Sequence, residues 1–206
     1  MNIVFDFGAV LFTWQPAQLV AATFPAVAST PEAAKRLAHA IFSHDDWHGF
    51  DRGTVEMADV IQRTALRLDL PESQLDDLVS HIGDLLTPIE ETVSVLSQLV
   101  QRRNERNNVR LYYLSNMPVP YARVLEQRHA FLKWFDGGIF SGDVKHIKPD
   151  PAIYELLETR YALDPTQTVF IDDLKSNVAA AQSRGWRGIH FESAGQLAAE
   201  LKIEDF

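Results

Sequence analysis

Cysteine is absent from the 206-residue sequence, so neither disulfide bonds nor thiolate metal sites are available to it. Any bound metal must therefore be held by oxygen or imidazole ligands. Long apolar runs are also missing, and none approaches the roughly 18 residues that a membrane-spanning helix requires. The N-terminus lacks the basic region and small-residue cleavage site of a secretory signal, so we expect a cytoplasmic protein.

Positive charge is scarce in this chain. The 19 lysines and arginines are outnumbered by 28 acidic residues, which gives a net charge of −9. This balance argues against non-specific binding to nucleic acid and to anionic membrane surfaces, because both attract basic proteins. We therefore expect neither as a partner, although a local basic pocket is compatible with the overall charge. Oligomeric state is not indicated by the sequence.

Short apolar runs rich in Val, Ile, Phe and Tyr are typical of buried strands. They lie at residues 3–5, 111–114, 139–140, 169–171 and 188–191. Amphipathic helical stretches separate the later runs, which indicates repeated β-α units. The sequence therefore predicts an α/β fold with a doubly wound, mostly parallel, Rossmann-like sheet that is covered on both faces.

About a hundred residues without a convincing strand separate the first two runs, and helical signals fill them. Helix starts are predicted at Thr30-Pro31, Thr54, Pro71 and Thr87-Pro88. Residues 15–86 are predicted to form a helical cap domain inserted after the first strand, with residues 1–14 and 87–206 forming the α/β core. An insert at this rim of the sheet is interpreted as a mobile lid, and a decorative helical insertion is the alternative.

Polar residues follow several of the apolar runs. They are Asp6, Ser115-Asn116, Lys148-Pro149-Asp150-Pro151 and Asp172-Asp173. Open α/β sheets keep their ligand crevices at the carboxyl ends of the strands, so we expect these groups to converge there. A lone buried acid is costly without a metal or a base as a partner, so the acid that follows the first strand is a candidate nucleophile. Lys145 is expected to be a surface residue.

The ordered motifs resemble those of the haloacid dehalogenase-like hydrolase superfamily. The residues that carry the resemblance are Asp6 with Gly8 and Val10, Ser115-Asn116, Lys148-Pro149-Asp150-Pro151, and Asp172-Asp173 with Asn177. The resemblance spans nearly the whole chain, and the helical insert is similar to the type 1 cap of that superfamily. The phrases Phe-Asp-Phe-Gly-Ala-Val, Leu-Ser-Asn and Asp51-Arg52-Gly53 look closest to bacterial sugar-phosphate phosphatases, such as those of α-glucose-1-phosphate, and to the phosphatase domains of epoxide hydrolases.

The resemblance implies a Mg²⁺-dependent phosphatase that acts on a small phosphorylated metabolite, such as a sugar phosphate. Asp6 would be the nucleophile that forms an aspartyl-phosphate. Ser115 and Asn116 would bind the transferring phosphoryl group, and Ser115 and Lys148 would stabilise it during the reaction. The implied metal ligands are Asp6, the carbonyl of Gly8, Asp172 and Asp173, and Asn177 would orient the Asp173 carboxylate.

Gly8 departs from the pattern, because most phosphatases of the superfamily carry there a second aspartate that serves as general acid and base. His44 or His48 would be a replacement proton donor, or a substrate with a good leaving group would need less protonation. A catalytically impaired phospho-ligand-binding protein is a further interpretation. Dehalogenases of the superfamily also lack this aspartate and need no metal, but the paired acids Asp172 and Asp173 favour a metal site.

The polar segment 44–53 is predicted to be a turn that reaches into the crevice, because glycines flank its end. Arg52 and Trp47 are its candidate substrate-binding residues, since the planar guanidinium suits a phosphate or sugar hydroxyls. The alternative is a plain connection between two helices, with Trp47 packed into the core of the cap.

Overall fold

A parallel five-stranded sheet lies at the centre of the computed structural model, which describes residues 1–106 and 108–203. The strands are β1 (Asn2–Phe5), β2 (Arg110–Ser115), β3 (Gly137–Phe140), β4 (Thr168–Asp172) and β5 (Arg187–His190). Their order in the sheet is β3-β2-β1-β4-β5, and every neighbouring pair is parallel. The predicted doubly wound α/β fold is confirmed. Because β1 is central and the chain leaves it to either side, the carboxyl ends of β1, β2 and β4 border one crevice.

Helices cover both faces of this sheet. Those that follow the insert are α6 (Glu90–Arg106), α7 (Val119–Arg128), α8 (Ser141–Val144), α9 (Pro151–Tyr161), α10 (Lys175–Ser183) and α11 (Ala194–Leu201), with 3₁₀ turns at Ala130–Trp134 and Pro165–Gln167. Side chains alternate along β1, so Ile3 and Phe5 join one hydrophobic core while Val4 joins the core on the other face. Among the described residues, no helix combines the length and the apolar character that crossing a bilayer requires.

The insert between β1 and α6 is entirely helical. Its helices are α1 (Pro16–Thr23), α2 (Pro31–Phe42), α3 (Asp45–Arg52), α4 (Met57–Leu68) and α5 (Glu72–Leu85). The predicted cap at Thr30 is present, since its side chain accepts a hydrogen bond from the backbone N–H of Ala33 at 3.2 Å. The prediction for Thr54 is wrong, because its hydroxyl donates to the carbonyl of Gly49 at the end of α3, and α4 starts only at Met57.

The prediction of a turn at residues 44–53 is also wrong, because residues Asp45–Arg52 form helix α3. The helix begins where His44 Nδ1 accepts a hydrogen bond from the N–H of Asp46, and two acids in its first turn favour this end electrostatically. It ends at Gly53, which takes the left-handed conformation with φ of 71°. The glycine that was read as part of a turn therefore terminates a helix.

Two contacts hold the last helix of the insert against the core. The hydroxyl of Tyr121 on α7 donates to the carbonyl of Val79 on α5 at 2.6 Å, in a buried position. Nearby, Arg128 Nη1 lies 2.5 Å from the Asp84 carboxylate. The buried hydrogen bond is the stronger restraint, because the ion pair is half exposed and water screens it.

We predict that Leu96→Ala lowers the free energy of unfolding by about 2–5 kcal/mol, because this fully buried α6 side chain would leave a cavity in the core. Leu66→Ala is the matched control, since that side chain is 86% exposed on α4 and its loss should change stability by less than about 0.5 kcal/mol. Urea denaturation measures both variants, and equal losses would contradict the assigned core.

Candidate active site

The sheet brings three polar positions to one edge. Phe5 of β1 pairs with Tyr113 of β2 on one side and with Ile171 of β4 on the other. The backbone N–H of Asp6 extends this pairing by donating to the carbonyl of Ile171 at 2.9 Å. Asp6, Ser115 and Asp172 therefore lie at the same end of neighbouring strands, as the sequence predicted.

Lys148 sits between two carboxylates at this edge. Its Nζ atom lies 2.8 Å from Asp6 Oδ1 and 2.6 Å from Asp172 Oδ2. Lys148 is only 3% exposed and Asp172 is fully buried. Burial lowers the pKa of Lys148, but the charges of Asp172 and Asp6 outweigh burial and raise the pKa above its ordinary value. The lysine therefore stays charged and neutralises part of the acidic cluster.

The acidic cluster carries more negative charge than one lysine neutralises. Oxygen atoms of Asp6, Asp172 and Asp173 lie within 4.8 Å of one another. Burial raises the pKa of Asp6 to about 7 against the opposing effect of Lys148. Burial and the charge of Asp172 raise the pKa of Asp173 to about 6. These shifts mean that ionising all three groups is costly without a further cation. Carboxylate oxygens are the ligands that Mg²⁺ and similar hard cations prefer, so the donor set fits such an ion.

Asn177 orients a different carboxylate from the one predicted. Its side-chain N–H groups lie 3.0 and 3.1 Å from the two oxygens of Asp172, rather than contacting Asp173. The physical reason is that Asp172 also accepts the backbone N–H of Leu174 at 2.8 Å, which turns its carboxylate toward the start of α10. Asp172 is thus fixed by Lys148 and Asn177 together, and Asp173 is left to face the cavity.

Asn116 ties two loops together. Its side-chain N–H donates to the carbonyl of Lys148 at 3.0 Å, and its side-chain oxygen accepts the backbone N–H of Lys148 at 2.7 Å. The Asn116 amide was predicted to bind substrate, but its nitrogen and its oxygen are both hydrogen-bonded to the backbone of Lys148. Ser115, which is 1% exposed, lines the same space next to it.

These residues surround one cavity of about 360 Å³. Its wall consists of Asp6, Gly8, Trp14, Phe42, Ser43, Trp47, His48, Asp51, Ile82, Leu86, Ser115, Asn116, Met117, Pro118, Tyr121, Lys148, Asp173, Leu174 and Asn177. Asp6, Asp173 and Lys148 of the core form the charged floor of the cavity, and we call its aromatic and aliphatic residues, which come from both the insert and the core, the roof. The two parts of the chain therefore enclose the site jointly.

Three residues predicted to belong to the site lie outside this wall, namely Arg52, His44 and Asp172. Asp172 lies behind it, in contact with Lys148 and Asn177. For Arg52 and His44 the reason is that their segment forms a helix, in which successive side chains are turned by about 100°. Trp47, His48 and Asp51 lie on the helix face that lines the cavity, whereas Arg52 is not among the lining residues. His44 instead caps the start of α3.

Asp51 lines the cavity although the sequence pattern did not predict it as a site residue. The acid-Arg-Gly pattern favoured its neighbour Arg52 instead. A helix over residues 45–52 places Asp51 four residues after Trp47, on the same face. That spacing was the available signal, and the predicted turn concealed it.

The sequence also matches a known family. The family model of the haloacid dehalogenase-like hydrolases matches residues 2–185. The chain belongs to this family.

A sesquiterpene phosphatase from Aspergillus oryzae is 29% identical over 200 residues, which cover 97% of this chain and 93% of that protein. A HAD family enzyme from Bacteroides thetaiotaomicron, in complex with magnesium and inorganic phosphate, superposes with a TM-score of 0.71 at 17% identity, covering 95% of this chain and 98% of that one. L-2-haloacid dehalogenase from Xanthobacter autotrophicus has a TM-score of 0.66 at 21% identity and covers 99% of this chain and 83% of its own. At these identities the solved structures establish the fold alone.

We predict that Mg²⁺ stabilises the protein more at about pH 8 than at about pH 5. Unfolded aspartates titrate near 3.8, whereas the folded pKa values of Asp6 and Asp173 are about 7 and about 6. Between these values the folded state binds more protons than the unfolded state, so the metal-free protein loses stability as the pH rises. At low pH the same protons compete with a cation for the carboxylates.

At about 100 times its Kd the ion should raise Tm by roughly 5–10 °C near pH 8. Thermal unfolding with and without Mg²⁺ measures the shift. Asp173→Asn should remove it, whereas Asp77→Asn should not, because that carboxylate is exposed on α5. A shift that is the same at both pH values would contradict the assignment of these carboxylates to the ion.

Proposed function

We propose that this protein is a Mg²⁺-dependent phosphatase that hydrolyses a small phosphate monoester through an aspartyl-phosphate. The observation that carries the proposal is the convergence of Asp6, Asp173 and Lys148 at one cavity floor. The phosphatase name of the Aspergillus relative, which aligns over almost the full length of both chains, supports it. So does the magnesium and phosphate complex of the Bacteroides enzyme that shares the fold.

The proposed nucleophile is Asp6, whose carboxylate oxygen attacks phosphorus while the ester P–O bond breaks. Lys148 holds that carboxylate by a 2.8 Å contact and places positive charge beside the phosphoryl group. Ser115 and the backbone N–H groups after β2 supply donors to the phosphoryl oxygens. A bound Mg²⁺, held by Asp6, Asp173 and the carbonyl of Gly8 with Asp172 as the third carboxylate of the cluster, would supply the charge that offsets repulsion between the nucleophile and the phosphate.

Residues 15–86 are proposed to act as a cap over this floor. They contribute Trp47 and other side chains of the roof, and they exclude water from the reacting groups when a ligand fills the cavity. The contacts of Tyr121 and Arg128 with α5 hold part of the insert against the core. A movement that separates α5 from the core would therefore break these contacts.

The roof favours an apolar organic group on the phosphate. The side chains that form it are Trp14, Phe42, Trp47, Ile82, Leu86, Met117, Tyr121 and Leu174. A sugar would leave its hydroxyl groups facing aromatic and aliphatic surface, whereas an alkyl or prenyl group would bury there favourably. The name of the sesquiterpene phosphatase relative agrees with this choice, so we propose an apolar phosphate ester in place of the sugar phosphate suggested by the sequence.

Asp6→Asn should preserve the fold and reduce hydrolysis of p-nitrophenyl phosphate by several orders of magnitude, because the amide cannot form the acyl phosphate. Phosphate release with and without Mg²⁺ measures this, and circular dichroism checks the fold. Turnover near that of the wild type in the variant would contradict the covalent route.

The same assay separates the other interpretations. Thermal stabilisation by phosphate without turnover would indicate a phospho-ligand-binding protein. Chloride release from 2-chloropropionate in the absence of metal would indicate a dehalogenase instead.

We expect kcat/KM for farnesyl monophosphate to exceed that for glucose 1-phosphate, because the two carry the same reacting group on different organic parts. Leu174→Ser should raise KM for the prenyl ester by up to about 10–200-fold with little change for the sugar ester, since this side chain lines the roof. Leu174 is 53% exposed, so its replacement should not unfold the chain. Leu66→Ser, on the outside of α4, is the control. Equal effects on both esters would contradict an apolar site.

A further inference from the structure

The proposed reaction requires a proton donor that the family position does not supply. Gly8 has no side chain, yet its backbone does not demand glycine, since a Cβ there would meet only Trp14, with its nearest contact at 3.8 Å. The absence of an acid at Gly8 is therefore not a steric necessity of this fold. An acid elsewhere in the cavity wall would provide the missing group.

Asp51 is placed for this purpose by helix α3 of the insert. It shares one helix face with Trp47 and His48, and all of them line the cavity whose floor contains Asp6 and Lys148. It is the acid that the insert contributes to the described cavity wall. Asp51 on the insert and the nucleophile on the core therefore line one cavity, and they are close enough for the charge of Asp6 to act on the Asp51 carboxyl group.

The backbone of Asp51 is anchored directly to the core. The hydroxyl of Ser141, which is fully buried, donates to the carbonyl of Asp51 at 2.5 Å. The same oxygen accepts the backbone N–H of Met117 at 2.8 Å, one residue beyond Asn116. One side chain thus links the backbone of Asp51 to the loop that follows Ser115, which fixes the position of the acid relative to that loop.

The residue that ends α3 completes this anchor. Gly53 adopts a left-handed conformation, and a Cβ there would lie 2.5 Å from the carbonyl oxygen of Gly142 and 2.7 Å from Lys145 Nζ. Lys145 was expected to be a surface residue, and although exposed it donates a hydrogen bond to the carbonyl of Gly53. The end of α3 therefore rests on α8, and the helix cannot move away without breaking these contacts.

The surroundings of Asp51 favour the neutral acid. Its carboxyl group makes no hydrogen bond or ion pair with other side chains across residues 1–106 and 108–203. Burial raises its pKa to about 8 against the opposing charges of Lys148 and Arg52, and the charge of Asp6 adds to the rise. Tyr121 and His48 are further titratable residues that line the same cavity. A carboxyl group in this state can donate a proton near neutral pH.

We propose that Asp51 is the catalytic acid that protonates the leaving-group oxygen, in a role that rests on the phosphatase function proposed above. As Asp6 Oδ forms its bond to phosphorus, the ester P–O bond breaks and its electron pair takes the proton of Asp51, which releases the alcohol. The Asp51 carboxylate then accepts a proton from water as that water attacks phosphorus. The acyl-phosphate P–O bond breaks, inorganic phosphate leaves, and Asp6 and the Asp51 acid are restored.

Leaving-group dependence tests this role. Hexyl phosphate needs a proton on its departing oxygen, whereas p-nitrophenyl phosphate departs as a stable phenolate. Asp51→Asn should lower kcat/KM for hexyl phosphate by about 10²–10⁴-fold and that for p-nitrophenyl phosphate far less. For the wild type, kcat/KM for hexyl phosphate should fall at high pH as Asp51 loses its proton. The Asn variant should not show this fall. Asp51→Glu should recover part of the activity.

Controls separate chemistry from structure. Asp45→Asn makes the same change on the same helix at a fully exposed side chain, so both esters should be hydrolysed as by the wild type. Equal losses on both esters in Asp51→Asn would overturn the proposal and indicate a structural role, and so would a loss selective for hexyl phosphate in His48→Gln instead. A wild-type protein that hydrolyses neither ester would contradict the phosphatase function itself.

Discussion

The ammonium group of Lys148, buried between Asp6 and Asp172, is the interaction on which the site depends. An uncompensated buried charge costs several kcal/mol, so each member of this cluster is tolerable only because the others are present. Asn177 and the start of α10 fix Asp172, and Asn116 fixes the backbone of the lysine. The strand ends, the loops and the first turn of a helix are therefore held together by one set of charges.

The remaining negative charge determines what the cavity can accept. One lysine does not balance three carboxylates, and the raised pKa values of Asp6 and Asp173 express that imbalance. A divalent cation relieves it, and the same cation then attracts a phosphate dianion that the acids alone would repel. Metal affinity and phosphate affinity thus have a common electrostatic origin in the sheet core, whereas in the proposed function the apolar roof would distinguish one ester from another.

The sheet and the floor of the site were predictable because their signals are local. Each strand is a short apolar run, and Asp6, Ser115 and Asp172 lie at the ends of such runs, so parallel pairing alone brings them together. Lys148 lies in the loop after α8 and follows no strand directly. Its place at the site was therefore indicated by the family resemblance, which also added roles that spacing could not supply.

The roof was less predictable because it depends on how separate helices pack. The polar segment 45–52 has few apolar residues, so the sequence pattern did not reveal that it is helical. Without the helix, the sequence could not show that Asp51, rather than Arg52, lies on the face toward the cavity. Thr54 looked like a helix start but completes the end of the preceding helix through Gly49. Asn177 forms hydrogen bonds with Asp172 rather than Asp173 because the N–H of Leu174 orients the Asp172 carboxylate, and residue spacing does not reveal that contact.

The hydroxyl of Ser141 has a consequence for how this insert can diverge. It joins the carbonyl of Asp51 to the N–H of Met117, so a sequence remote from the insert maintains the geometry of a helix within it. Transplanting residues 15–86 from a relative would bring new side chains for recognising a ligand but would sever or distort this bridge. Chimeras should therefore function only when the donor and recipient share the serine and the close glycine contact beside it, because the two segments depend on each other structurally.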